Sequence, residues 1–182
     1  MFLAHRLSPF DPSGWDYVHL SGLLQRHGST LQISYTLEYR HGLDLLWPEP
    51  AEPAERRDGL WQSTCLELFV GSRSSSAYWE LNLCPSGHWN WYRLQSYRSE
   101  LSPADLNVAP LRTQKHHRTN QTVSRQIELS VNLPQELLEA DSLQAGLCAV
   151  LQKDDGSISY WANHHGGTEA DFHRRDDWLL LS

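Results

Sequence analysis

The sequence contains little cysteine, which limits both its covalent cross-links and its metal chemistry. Cys65, Cys84 and Cys148 are odd in number and widely spaced, so they cannot all pair. Small secreted domains that depend on disulfides carry many more cysteines, and this chain therefore favours reduced thiols in a cytosol. No CxxC pair is present, so the sequence does not indicate a thiolate zinc site.

Long apolar runs are missing as well. The first residues, MFLAHRLSPFDPSG, lack the basic segment followed by an apolar stretch that marks a secretory signal. No apolar segment approaches the roughly 20 residues that a membrane-spanning helix needs. We therefore expect a cytoplasmic protein that does not insert into a membrane.

The chain has fewer positively charged than negatively charged residues. The chain has 15 Lys and Arg against 22 Asp and Glu, a formal net charge of −7. Because a nucleic-acid-binding protein needs a basic face, and the run 115–118 is too short to make one, no nucleic-acid partner is expected. With 182 residues, 40% hydrophobic and 20% charged, the composition predicts one globular domain over residues 1–182.

Catalytic and cofactor motifs are absent from the sequence. We find no GxSxG, P-loop, HExxH or dinucleotide-binding fingerprint. The ten His residues invite a metal site, but the spacing of His164, His165 and His173 matches no closed site. Met1 is the only Met, so a haem would need two His ligands. We predict no cofactor and no metal, although calcium held by separate loops would leave no motif.

Eight Trp are present, and four of them fall in the stretch 61–94, around which the chain is organised. Alternation of apolar and polar residues in this stretch predicts three antiparallel strands. Pro85 and Gly87 suit a type I turn followed by a bulge, and this turn fixes the register of the second hairpin. One face of the hairpin is then a Trp-rich core, in which Leu83 lies opposite Trp89, Leu81 opposite Trp91 and Trp79 opposite Arg93.

The opposite face of this meander is predicted to carry carboxylate, amide and phenol groups. These groups are Glu80 opposite Tyr92, Asn82 opposite Asn90, and Glu67 beside Glu80.

Two like charges side by side across a β-ladder repel each other. The repulsion between Glu67 and Glu80 should therefore be offset by a cation or by a ligand rich in hydroxyl groups. Arg93 projects to the other face, so Arg98 or Arg125 is the predicted cation.

The rest of the chain reads as short strands around turn sequences. Predicted hairpins pair Tyr17–Gln25 with Leu31–Tyr39, 111–118 with 123–131, and 143–153 with 157–163, and 134–139 is the one short helix. Many short strands with one short helix predict an all-β fold, a two-sheet antiparallel β-sandwich of the jelly-roll or immunoglobulin-like type.

Two Trp residues lie where a ligand could reach them. Trp61 follows the Pro-rich loop 48–59 directly before a strand, and Trp161 lies near a strand end. A Trp ring can stack on the C–H groups of a sugar while carboxylates and amides bind its hydroxyls. Packing at the rim of the core is the alternative interpretation for both.

Three segments together resemble the DOMON-like and family 9 carbohydrate-binding-module-like domains. They are DGLWQSTCLELFV, YWELNLCPSGHWNWYRL and YWANHHGGTEADFHRRDDWLLL, and the resemblance covers about residues 4–182. It implies a β-sandwich that binds a terminal sugar between two Trp, with Glu, Asn and Arg bonded to the hydroxyls. Trp61 and Glu67 match the first Trp and the Glu, and Trp161 would be the second Trp. Calcium sites of the family lie in loops that cannot be mapped here.

We therefore predict a non-catalytic β-sandwich that binds a carbohydrate or another small polar ligand, and not an enzyme. One alternative is a protein-interaction or assembly module without a small ligand. The other is an unrecognised glycoside-processing enzyme in which two carboxyl groups act as acid and nucleophile. The predicted ligand-binding residues are Trp61, Glu67, Glu80, Asn82, Asn90, Tyr92, Arg98 and Trp161.

The cysteine pattern leads to a direct test. Because the three thiols are expected to be unbridged within the chain, denatured protein prepared without reductant should react with three equivalents of a thiol reagent. Reaction of a single thiol would mean that two of the cysteines are paired.

Overall fold

The computed structural model describes residues 2–105 and 111–181, which form an almost entirely antiparallel β-structure. The strands are β1 (Phe2–Pro9), β2 (Val18–His27), β3 (Thr30–Arg40), β4 (Cys65–Ser72), β5 (Tyr78–Leu83), β6 (Trp89–Leu94), β7 (Ser102–Pro103), β8 (Leu111–Arg118), β9 (Thr122–Asn132), β10 (Leu143–Gln152), β11 (Ile158–Ala162) and β12 (Leu179–Leu181). The short α-helix α1 spans Gln135–Leu138, and single 3-10 turns lie at Leu60–Gln62 and Arg175–Asp177. No helix among these residues has the length and apolar character needed to span a membrane.

The strands join in one continuous sheet that curls over itself. Its order is β7-β6-β5-β4-β10-β11-β1-β2-β3-β9-β8, with β12 paired to β10. The predicted all-β class is confirmed. The structure differs in one respect from a sandwich of two separate sheets. The halves are hydrogen-bonded through β1 and β11, where Ser8 lies opposite Ala162 and Pro9 opposite Trp161.

The main core lies between the two halves of the curled sheet. Along β4, Leu66, Leu68 and Val70 point into this core, whereas Phe69 packs in a second, smaller cluster on the outer face. This two-residue alternation is the physical consequence of the strand pleat. From the other half, Leu24, Leu31, Ile33 and Leu37 enter the same main core.

The predicted register of the β5–β6 hairpin is confirmed. Leu83 lies opposite Trp89, Leu81 opposite Trp91 and Trp79 opposite Arg93. The turn depends on Gly87, whose φ of 97° lies in the left-handed region that side chains other than glycine rarely adopt.

A C-terminal segment, residues 163–178, covers part of the outer face of β4, β5 and β10. Trp178 anchors it, because its indole ring lies directly on Gly146 of β10. A Cβ atom at that position would come within 2.8 Å of the ring. The segment and the outer face together enclose the site described below.

The packing of Leu81 tests the fold. This side chain is 2% exposed in the main core and lies opposite Trp91. Leu81→Ala should lower the free energy of unfolding by about 2–5 kcal/mol, because it leaves a cavity in a close-packed region. Urea denaturation measures the change, and an effect below about 0.5 kcal/mol would contradict this assignment of the core.

Candidate functional site

A cavity of about 470 Å³ opens on the outer face of β4, β5 and β10. It combines acidic, basic and aromatic side chains from the sheet and from three segments outside the strands. Its lining residues are Trp61, Glu67, Phe69, Glu80, Leu94, Arg98, Ser99, Leu101, Val150, Tyr160, Ala170, Phe172 and His173.

The floor of the cavity carries two carboxyl groups, as the sequence predicts, but in a different register. Glu67 lies opposite Asn82, and Glu80 lies opposite Phe69. The two carboxyl groups are therefore diagonal neighbours on one face and not directly opposed. They are nearly inaccessible to solvent, with exposed fractions of 3% for Glu67 and 4% for Glu80.

Oxygen acceptors at this floor lack hydrogen-bond partners. Asn82 donates from Nδ2 to Glu80 Oε1 at 2.8 Å. Among the described residues, Glu80 Oε2, Glu67 Oε1 and Asn82 Oδ1 have no partner. A buried polar atom without a partner costs stability. This cluster therefore needs protons, water or the hydroxyl groups of a ligand.

Burial determines the protonation of the two carboxyl groups. Desolvation raises the pKa of Glu67 well above its ordinary value, and the neighbouring Glu80 raises it further. Desolvation also raises the pKa of Glu80, to about 7, against the opposing effects of the Asn82 hydrogen bond and the Arg98 charge. Burial therefore favours the protonated form of both carboxyl groups, and Glu80 titrates near neutral pH.

His173 also lines the cavity, although the sequence pattern does not assign it to this site. Its Nδ1 lies 2.7 Å from the Tyr78 hydroxyl, and its Nε2 lies 4.0 Å from Glu80 Oε2. Burial, together with the Arg98 charge, lowers the pKa of His173 to about 4. The imidazole is therefore neutral at physiological pH. Because His173 lies in an irregular segment, no periodic pattern marks it in the sequence. The preceding apolar residue, Phe172, is a local indication that the segment packs against the sheet.

Arg98 is the cation at this site. Its backbone has a φ of 49°, and its guanidinium pairs with Asp171 at 2.9 Å. The hydroxyl of Tyr97 also donates to Asp171, at 2.7 Å. Arg125, the other predicted cation, lies elsewhere, over the ring of Trp47.

The walls of the cavity are aromatic on more than one side. Trp61 is half-buried and packs edge-on against Tyr92, with ring centroids 6.0 Å apart. Tyr160 and Phe172 pack edge to face, also at 6.0 Å, and Tyr160 is 43% exposed. Apolar rings above polar atoms can bind a ligand with both kinds of surface.

Asn90 and Tyr92 do not line the cavity and instead belong to a hydrogen-bonded cluster beside it. Both donate to Asp58 Oδ1, from Asn90 Nδ2 at 2.8 Å and from the Tyr92 hydroxyl at 2.6 Å. Asp58 comes from the Pro-rich loop 48–59. The cluster fixes the ring of Tyr92 against which Trp61 packs.

Trp161 is not part of the site, contrary to the sequence-based expectation. Its side chain is 2% exposed and lies in the main core, edge-on to Trp15 at 6.2 Å. Successive residues of β11 point to opposite faces, so the neighbouring Tyr160 faces the cavity instead.

The described part of the chain does not indicate a metal site. No group of three or more His, Cys, Asp or Glu side chains in residues 2–105 and 111–181 is placed to share a metal ion. In the C-terminal segment, the Asp177 carboxylate is hydrogen-bonded to His164 Nδ1 and accepts from the backbone N–H of Gly166.

The site is thus an acidic, aromatic pocket on an all-β scaffold. No protein-family model and no curated protein sequence matches this chain. Among solved structures, a Bacteroides uniformis protein named for a proposed role in carbohydrate binding is similar over 97% of this chain and 85% of its own. The TM-score is 0.64 at 13% sequence identity, which shows a shared fold.

Two further structures are family 9 carbohydrate-binding modules from Caldicellulosiruptor kristjanssonii. The module in complex with cellotriose has a TM-score of 0.48 and 9% identity, covering 92% of this chain and 74% of that one. The module in complex with glucose has a TM-score of 0.40 and 8% identity, covering 83% and 69%. The DOMON-like part of the sequence resemblance stays a prediction.

The raised pKa of Glu80 predicts that stability depends on pH. The pKa is 4.5 for a free carboxyl group and about 7 in the folded protein, so folding favours the protonated form. This contribution is fully present below about pH 4.5 and is lost as the pH rises through about 7. From about pH 5 to about pH 8, the wild type should lose ~2 kcal/mol more unfolding free energy than Glu80→Gln.

Urea denaturation at both pH values checks this difference. Gln at position 80 keeps an acceptor for Asn82 but cannot ionise, so the comparison isolates the charge. Parallel pH dependence of the two proteins would show that Glu80 ionises normally and is better solvated than its burial implies.

Proposed function

We propose that this protein binds a carbohydrate in the outer-face cavity and does not transform it. The observation that carries the proposal is the combination of unpartnered buried acceptors with aromatic walls. Sugars present hydroxyl groups around their edge and C–H groups on their faces, which complement these two surfaces. The volume of about 470 Å³ lies within the roughly 300–1,000 Å³ range of small-molecule pockets.

Each part of the cavity has a separate role in this proposal. Trp61, Tyr160 and Phe172 offer ring surfaces for the apolar faces of the sugar. Glu80 accepts from hydroxyl groups, and Glu67, whose protonated form burial favours, can both donate and accept. The shared fold with the Bacteroides uniformis protein named for carbohydrate binding adds support.

The arrangement of the carboxyl groups favours binding over catalysis. Glycoside hydrolysis by two carboxyl groups requires them to flank the scissile bond. Here both groups lie on the floor of the cavity, on the same face of adjacent strands, and would approach a sugar from one side. No observation on the described residues favours the other alternative, a protein-interaction or assembly module without a small ligand.

Removal of the Trp61 ring tests the proposal. Calorimetric titration of the wild type with D-glucose, D-galactose, D-xylose and cellobiose should find binding by at least one of them. Trp61→Ala should weaken that binding by about 1–3 kcal/mol, because the stacking surface is lost.

Trp47→Ala is the matched control. Trp47 is also half-buried, but it packs against the main core and Arg125, outside the cavity. It should lower stability and leave affinity nearly unchanged. Equal affinity of Trp61→Ala and the wild type would place the sugar at another surface, and absence of binding by the whole panel would contradict the proposed function.

A further inference from the structure

The hydrogen bonds around His173 favour one position for its proton. The backbone N–H of Arg98 donates to the Tyr78 hydroxyl at 3.2 Å, so the phenol oxygen acts as acceptor in that contact. The phenol can then donate its own proton to the other neighbour, His173 Nδ1, at 2.7 Å. In that arrangement the one proton of the neutral imidazole lies on Nε2, and His173 presents an N–H donor towards Glu80.

Glu80 presents the complementary acceptor. Its Oε1 already accepts from Asn82 at 2.8 Å, whereas Oε2 has no partner among the described residues. Oε2 lies 4.0 Å from His173 Nε2, which is too far for a hydrogen bond between them. The result is a donor on the half-buried His173 ring and a buried Glu80 acceptor, separated by a gap.

The separation of the two atoms suits a single bridging oxygen atom. An oxygen about 2.8 Å from both atoms, a normal hydrogen-bond length, would see them at an angle of about 90°, from the 4.0 Å separation. That angle suits an oxygen that accepts one hydrogen bond and donates another. The hydroxyl group is the sugar substituent with this property.

We propose that His173 Nε2 and Glu80 Oε2 together bind one hydroxyl group of the sugar, with His173 donating to its oxygen and Glu80 accepting its proton. This assignment rests on the proposed function and identifies two specificity-determining contacts. A carboxylate in the same place would lie against the Glu80 carboxylate. At this position the cavity therefore selects a hydroxyl group over a carboxylate.

The surroundings hold His173 in place for this role. Its backbone N–H donates to Asp171 Oδ1 at 3.1 Å, and its ring packs edge-on against Phe69 at 5.0 Å. Asp171 is in turn paired with Arg98, so the cation near the cavity is already compensated. A ligand therefore need not supply a negative charge.

The test removes the same hydroxyl group from the ligand and its donor from the protein. D-Glucose, D-galactose and their mono-deoxy derivatives are titrated at about pH 8, where Glu80 is ionised. With the wild type, one deoxy derivative should bind roughly tenfold or more weakly than its parent sugar, because buried polar groups are left unpaired. With His173→Phe, the parent sugar should bind about as weakly, and removal of that hydroxyl should have no further effect.

Matched variants separate this contact from a general effect on the loop. His165→Phe changes a His of the same segment that is half-buried, bonds to the backbone of Ser8 and lies outside the cavity. It should keep the full deoxy penalty. His173→Gln, which again supplies an N–H donor, should recover part of the lost affinity.

The outcomes distinguish the two proposals. Equal deoxy penalties in the wild type and His173→Phe would overturn the hydroxyl assignment and leave sugar binding intact. If no sugar of the panel binds the wild type, the proposed function fails and the assignment fails with it.

Nitrogen NMR of the free protein provides a measurement that does not need a folded variant. His173 should show a protonated Nε2 and an unprotonated Nδ1, with no titration between about pH 5 and about pH 8. A proton on Nδ1, or a cationic ring at neutral pH, would overturn the assignment.

Discussion

The burial of two neighbouring carboxyl groups on the β4–β5 ladder is the constraint around which this site is built. Glu67 and Glu80 lie on one face, and their desolvation disfavours charge on both. The surrounding groups reduce this desolvation cost in different ways. Asn82 donates to one oxygen, and Arg98 supplies a nearby positive charge. The remaining oxygens without partners are available as hydrogen-bond acceptors for a molecule in the cavity.

The meander was predictable because its turn is short and specific. Pro85 and Gly87 fix the β5–β6 register, and a two-residue period then assigns every side chain to a face. The loop between β4 and β5, residues 73–77, has no such rule. The faces of Glu67 and Glu80 were therefore predicted correctly, whereas their direct opposition was wrong by one pair.

The rest of the site comes from chain segments without periodicity. Asp171 and His173 lie in the irregular C-terminal segment, and Asp58 lies in the Pro-rich loop. Their positions depend on tertiary contacts such as that of Trp178 on Gly146, which no local pattern encodes. In β11 the alternation was readable, but the sequence does not say which face meets the core. Trp161 takes the core side and Tyr160 the cavity side.

In the proposed function, stability and ligand binding are coupled through the same atoms. Glu80 Oε2 and its neighbours have no partner among the described residues and lie in a poorly solvated place, which lowers stability. A ligand that donates to these atoms would remove that cost, so part of its binding energy would offset an existing penalty. A better-packed floor would be more stable but would bind a hydroxyl group less strongly. Incomplete hydrogen bonding of the floor would therefore be the physical basis of the proposed selectivity.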